Sequence, residues 1–206
     1  MHQDAPYFHA FNLFNDRVGP MRFKKLLGYF GTIQKAWLES DGQSLVAAGI
    51  EEDLAREIAA RRPQINLEQE MEKLTKEKIG IITLLDKHYP RLLKEIYDPP
   101  YIMYIRGELK TEDEFGLGVV GTRKLSNYGR QATDHISGDL AQAGLTIISG
   151  LAHGIDTVAH LAALRNKGRT IAVVGSSIDN QSIFPPSNRR LAEYVSQSGA
   201  VLSEYP

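Results

Sequence analysis

Three short stretches of the 206-residue chain combine small, hydroxyl-bearing and cationic residues: Gly121-Thr122-Arg123, Ser149-Gly150-Leu151-Ala152-His153-Gly154 and Gly175-Ser176-Ser177. Glycines let backbone N–H groups come close to a ligand, hydroxyls and amides bond phosphate oxygens, and the Arg123 guanidinium is a fork that matches two such oxygens. The chemistry to expect is phosphate recognition. Its candidate residues are Gly121, Thr122, Arg123, Ser149, Gly150, Gly154, Gly175 and Ser176, with Lys167, Arg169 and Arg189 as further cations.

Other chemistries are weaker. His153, Asp156 and His160 suggest a metal or acid–base pair, and Ser149 beside them suggests a hydrolytic triad, but a third metal ligand and a nucleophile elbow are both lacking. Structural roles account for them more simply: Asp156 as the N-cap of a helix, and His160 bonded to that carboxylate or to backbone. Gly116-Leu117-Gly118-Val119-Val120-Gly121 matches the dinucleotide fingerprint in letters only. Its first glycines fall ahead of or within a strand rather than after it, and no acidic residue ends the next strand. Neither a cofactor nor a metal is expected, and no catalytic residue is assigned.

Composition narrows the partners. With 24 Lys and Arg against 25 Asp and Glu, the net charge is −1, so nucleic acid would have to be attracted by local clusters rather than by the overall field. No cysteine is present, which excludes disulfides and thiolate metal sites and suits a reducing cytoplasm. No stretch approaches the length needed to cross a bilayer, and the N-terminus lacks the pattern of a signal peptide.

The elements that must position the glycine-rich stretches follow from periodicity. Leu117 to Val120, Thr146 to Ser149, Thr170 to Val174 and Ala200 to Ser203 are β-branched apolar runs about 25 to 30 residues apart, the length of a strand plus a crossover helix. Ala132, Ile136, Leu140 and Ala143, then Val158, Leu161, Ala162 and Leu164, then Leu191 and Val195 mark the helices between them. Gly144, Gly168 and Gly199 stand where each helix must stop, as C′ glycines would. The expectation is a doubly wound, Rossmann-like α/β domain over residues 79–206, with the glycine-rich stretches at the carboxyl ends of its strands, where such sheets bind ligands.

Residues 1–78 read as a small all-helical domain. Phe23, Leu26, Leu27 and Phe30 form one apolar stripe, Leu54 and Ile58 a second, and Leu67, Met71 and Leu74 a third. Arg17-Val18-Gly19-Pro20 and Ala48-Gly49-Ile50 have the layout of a helix-hairpin-helix or SAM-like turn. The same glycines are also common punctuation between short helices. Trp37 and Ile33 are expected in its core. Ile79 to Leu84 and Tyr101 to Arg106 read as further strands, separated by one or two helical turns from Pro90 to Ile96.

Val119-Val120-Gly121-Thr122-Arg123, Ser126-x-Tyr128-Gly129, Ser149-Gly150-Leu151-Ala152-x-Gly154-Ile155-Asp156-x-x-Ala159-His160, Thr170-Ile171-Ala172-Val173 and Leu202-Ser203-Glu204-Tyr205-Pro206 follow one another in order. In order and spacing they resemble the DNA-processing protein A (DprA/Smf) family, with Tyr89-Pro90, Asp98-x-Pro100 and Gly107 fitting its lead-in. The resemblance implies a binding module for single-stranded DNA that protects the strand and helps load the RecA recombinase during natural transformation. It also implies a homodimer and no covalent chemistry. The alternative class, enzymes of related fold that cleave nucleotide N-glycosidic bonds, carries a Pro-Gly-Gly-x-Gly-Thr-x-x-Glu loop that this sequence lacks. A third alternative is an inactive, truncated family member.

Two departures from the pattern bear on the site. Ser177 stands where the family usually has glycine, and Phe184-Pro185 comes about two residues late, so the loop after the third strand is expected to have its own shape. The sequence ends at Ser203-Glu204-Tyr205-Pro206, where the family pattern continues with an Arg-Asn-Arg segment. It is therefore expected to hold about half of the Rossmann-like domain, with dimer and recombinase contacts implied for the remainder.

Overall fold

The computed structural model describes residues 2–14 and 17–206. Packing divides the chain into two compact units, Met1–Met103 with Pro206, and Tyr104–Tyr205. The switch from helical to strand-rich sequence near Lys78 falls inside the first unit.

The first unit opens with helices α1 (Ala5–Asn12), α2 (Pro20–Phe30), α3 (Ile33–Glu39), α4 (Gly42–Ala47), α5 (Glu52–Arg61) and α6 (Leu67–Lys76). Strand β1 (Gly80–Thr83) and the one-turn helix α7 (Arg91–Lys94) follow, then the first residues of strand β2 (Ile102–Gly107). Side chains cap the helices where the sequence supplies them. Thr32 accepts from Lys35 N at 3.2 Å, Asn66 from Gln69 N at 3.1 Å, and Asp41 and Ser44 form a reciprocal capping box. The expected stripes turn inward at Phe23, Leu26, Leu54, Ile58 and Leu74, and Trp37 is buried edge-on against Phe11 with ring centroids 5.0 Å apart. Periodicity alone did not separate α1, α3 and α4, whose short lengths hold too few repeats for a stripe.

The second unit continues β2 and adds β3 (Gly116–Gly118), α8 (Asn127–Gln142), β4 (Thr146–Ser149), α9 (Ile155–Arg165), β5 (Thr170–Val173), α10 (Arg189–Ser198) and β6 (Ala200–Ser203). The six strands form one sheet of order β1-β2-β6-β5-β4-β3. β3 to β6 are parallel, and β2 runs antiparallel to β6, with Tyr104 opposite Ser203 and Arg106 opposite Val201. The Rossmann-like α/β architecture is as expected, but its winding differs. Because β3, β4, β5 and β6 are neighbours in chain order, each right-handed crossover steps the same way, and α8, α9 and α10 fall side by side on one face. Ile147 lies on that face, fully buried beneath Ala141, Ala159 and Ala163. Among the described strands the sheet is thus singly wound, not doubly. Strand order depends on tertiary pairing, which periodicity does not encode.

Of the three expected stop glycines, only Gly144 is left-handed, at φ +92°. After α9 the left-handed residue is Lys167 (φ 56°), whereas a Cβ on Gly168 would stand 2.6 Å from Ala141 Cβ. Gly199 has a negative φ of −159°, and a Cβ there would stand 2.0 Å from Thr170 O. Close packing, not a left-handed cap, requires glycine at both.

Candidate nucleic-acid interface

Three loops leave the carboxyl ends of β3, β4 and β5 and meet around a cleft of about 320 Å³. Arg123 lines it from the first loop, Gly150, Ala152 and His153 from the second, and Val174, Gly175, Ser176, Phe184 and Pro185 from the third. The Phe184–Pro185 peptide bond is cis.

The loops are locked together by contacts that only these residue types allow. Gly154 has φ +87°, and a Cβ there would stand 2.1 Å from Thr122 O and 2.7 Å from Arg123 Cα, so glycine lets the second loop pass against the first. Ile155 N then donates to Thr122 O at 3.2 Å. A Cβ on Gly121 would stand 2.5 Å from Ile155 Cγ1, so this glycine too serves the contact between loops. Asp156, buried in the first turn of α9, accepts from Gly150 N at 3.1 Å and Ala152 N at 3.3 Å. It holds the loop ahead of its helix instead of capping the helix, whose N-cap is Gly154. Asn188, also buried, donates through Nδ2 to Leu151 O and Thr157 Oγ1, both at 2.8 Å, which ties the third loop to the second.

Several candidate groups are spent on this scaffold. Ser149 Oγ donates to Val119 O at 2.7 Å, and Thr122 Oγ1 is engaged at 3.1 Å with both the amide and the carbonyl of Lys124. Arg189 donates to Gln181 O within the third loop. By contrast, among the described residues Arg123 has no hydrogen bond or ion pair, and its exposed guanidinium lines the cleft with His153.

Lys167 and Arg169 lie elsewhere. Both precede β5, at the amino ends of the parallel strands, and the structure does not bring them to the cleft. Arg169 is a clamp: its Nε and Nη2 donate to Asp113 at 2.8 and 2.7 Å, Nη1 to Ser198 O at 3.0 Å and Nη2 to Glu108 O at 2.9 Å. Burial works to raise the Asp113 carboxyl, but the bonds from Arg169, the Lys110 amide and Thr146 outweigh it and hold the group below its ordinary range.

Ser149, Asp156 and His160 do not assemble into a hydrolytic triad, because each has another partner. His160 is fully buried, its Nδ1 donating to Thr170 Oγ1 at 2.7 Å while that hydroxyl donates to Ile147 O at 2.7 Å. It bonds neither Asp156 nor the backbone, as had been expected. No group of three or more His, Asp or Glu residues comes together to hold a metal ion among the described residues. Nor is any described helix long and apolar enough to cross a membrane.

At the helical hairpins, both arginines are already paired with carboxylates, and Lys25 is engaged by a backbone carbonyl. Arg22 forms a fork on Glu51 at 2.8 and 2.9 Å, Arg17 pairs with Asp53 and Glu57, and Lys25 Nζ donates to Gly49 O at 2.8 Å. The bond from Arg22 pushes the Glu51 carboxyl down to about 2.

Sequence reasoning left His153, Phe184, Pro185 and Asn188 outside the site. Ser177 in place of glycine and the late Phe184-Pro185 pair were the signals that the third loop has its own shape. Asn188 gave none, since an asparagine ahead of a helix ordinarily reads as a cap.

The mostly parallel, Rossmann-like sheet carries a glycine-lined, arginine-bearing cleft over the carboxyl ends of its parallel strands, the place where open α/β sheets bind ligands. The sequence profile of the DNA recombination-mediator protein A family matches residues 80–206, and the chain belongs to that family. Protein Smf of Synechocystis sp. is 38% identical over 193 residues, which cover 92% of this chain and 48% of the relative; the chain thus spans about half of that protein's length. The structure of DNA processing protein A from Streptococcus pneumoniae superposes with a TM-score of 0.74 at 32% identity, over 97% of this chain and 67% of that one. DNA processing protein A from Helicobacter pylori, whose structure is described for its single-stranded DNA binding mode, superposes with a TM-score of 0.54 at 30% identity over 62% of this chain and 56% of that one.

Proposed function

We propose that this chain binds single-stranded DNA through the cleft at the carboxyl ends of β3, β4 and β5, and that it holds the strand without breaking or forming a covalent bond. The observation that carries the reading is the unpaired Arg123 guanidinium in a cleft lined by glycine-rich loops, in a family whose Helicobacter member is described as binding single-stranded DNA. Glycine-rich backbone and a guanidinium recognise phosphate, which carries no base information, so binding has little sequence preference. The family's description as a recombination mediator supports the further proposal that the bound strand is protected and passed to RecA in the cytoplasm during DNA uptake, by a protein acting as a homodimer.

Fluorescence anisotropy with labelled oligonucleotides tests the reading. Single strands of different sequence are expected to bind alike and more tightly than a duplex of the same length. Equal or tighter duplex binding would move the site away from this cleft. Incubation with adenosine monophosphate is expected to release no free base, and base release abolished by Glu204→Gln would make the protein an enzyme.

A further inference from the structure

We infer that Arg106 is a positioning residue for the DNA cleft, acting through Asn180 to hold the loop between β5 and α10. Arg106 lies on β2 opposite Val201 and is only 8% exposed. Its Nη1 donates to Asn180 Oδ1 at 2.6 Å, while its buried Nε and Nη2 have no partner among the described residues. The nearby carboxylate does not serve it: Asp179 accepts from Gln181 N at 2.8 Å and Ser182 N at 3.1 Å, within the loop's own turn.

A buried cation with one neutral acceptor and two idle donors is a net cost to the fold, and an apolar residue of similar volume would pack there at less expense. What the arginine supplies is a fixed point for the loop. The loop is tied at its start, where Ser203 Oγ donates to Ser176 O at 2.7 Å, and at its end through Asn188. Asn180 is the anchor between, flanked by the buried Ile178 and Ile183, and Phe184 and Pro185 follow at once to form the lip of the cleft. Asn180 also falls where this chain departs from the family pattern, between Ser177 and the late Phe184-Pro185 pair. A longer loop needs an added anchor if its lip is to keep one position, since its conformational freedom grows with length.

The inference rests on the cleft being the single-strand site. Its test is an anisotropy titration of the purified chain with labelled oligothymidylate, alongside thermal unfolding. Asn180→Ala, which leaves the core intact, and Arg106→Met, which removes the idle donors, are each expected to weaken binding about two- to tenfold, the effect of one hydrogen bond. The melting temperature should fall with Asn180→Ala, which strands the buried Arg106 guanidinium, and recover in the double variant, which should bind no more weakly than either single one, and Arg106→Lys should recover part of the binding loss. If Arg106→Met lowers stability, Asn180→Ala decides alone. Arg123→Ala separates the two failures: if it weakens binding while Asn180→Ala does not, the latch is wrong, and if neither changes binding, the cleft itself is not the site.

Discussion

Asn188 reaches from the end of one loop to the heart of another, its amide 2.8 Å from both Leu151 O and Thr157 Oγ1. Leu151 is itself fully buried with a left-handed backbone at φ 60°, a conformation that must be held from outside. Asn188→Ala would leave the buried Leu151 carbonyl unpaired, which costs about 1 to 3 kcal/mol. We expect urea unfolding to show a loss in that range, and single-strand affinity to fall as the cleft loosens.

Arg123→Ala is expected to weaken single-strand binding by about 1.5 to 3 kcal/mol, the contribution of a charge-assisted hydrogen bond. The salt dependence of binding should also decrease by about 0.7 in slope, as for one lost phosphate contact on a single strand. Arg56→Ala serves as the control, since Arg56 is exposed on α5 and among the described residues its side chain bonds only Glu52 O. Equal effects from the two substitutions would show that the cleft is not the binding site.

Arg169→Ala separates stability from binding. Removing the guanidinium leaves the Asp113 carboxylate, whose side chain is 8% exposed, with Thr146 Oγ1 and Lys110 N as its remaining partners among the described residues. Breaking a largely buried pair in this way costs about 3 kcal/mol. We expect a lower unfolding midpoint with unchanged single-strand affinity at temperatures where the variant is folded. A specific loss of affinity would restore Arg169 to the binding site.

Acid should destabilise the fold through two buried histidines. Burial pushes the His160 imidazole down to about 4 from an ordinary 6.5. His9 in the helical unit is lowered to about 4 as well, by burial first, with Glu70 opposing and Lys73 assisting. The unfolded chain takes up these protons near pH 6.5 and the folded chain refuses them until about pH 4. Stability is therefore full above about 6.5 and falls as pH drops through this window, by up to about 3 kcal/mol per histidine. Chemical denaturation at pH 7.0, 5.5 and 4.5 measures the slope, and His160→Gln should flatten it. A wild-type stability that does not change over this range would mean the imidazoles are not held neutral.

β3 ends the sheet, and all three of its residues are exposed. Leu117 on it and Val120 just beyond it are 38% and 84% exposed. An uncovered strand edge beside exposed apolar side chains is a template for pairing with another copy. Sedimentation velocity is expected to show association that grows with protein concentration, and lysine at Val120 should reduce it. A single monomeric species at high concentration would show that this edge is self-sufficient.

The parallel strands, the helices between them and the glycine-rich loops at the strand ends were legible in the sequence because each rests on local rules. Short β-branched runs repeat at the spacing of a strand and crossover helix, and the glycine-rich stretches follow the strands directly. The two ends of a strand are distinguishable only by chain direction, however, and a cation such as Arg169 looks the same in sequence whether it faces ligand or Asp113. Tertiary structure alone decided that Arg169 is a clamp, that Asp156 and Asn188 bind loops to one another, that the helices lie on one face, and that Arg106 meets Asn180 from 74 residues away. Periodicity reports which side of an element is buried, but hydrogen-bond partners and strand order are set by which elements meet in space, and that information is distributed over the whole chain.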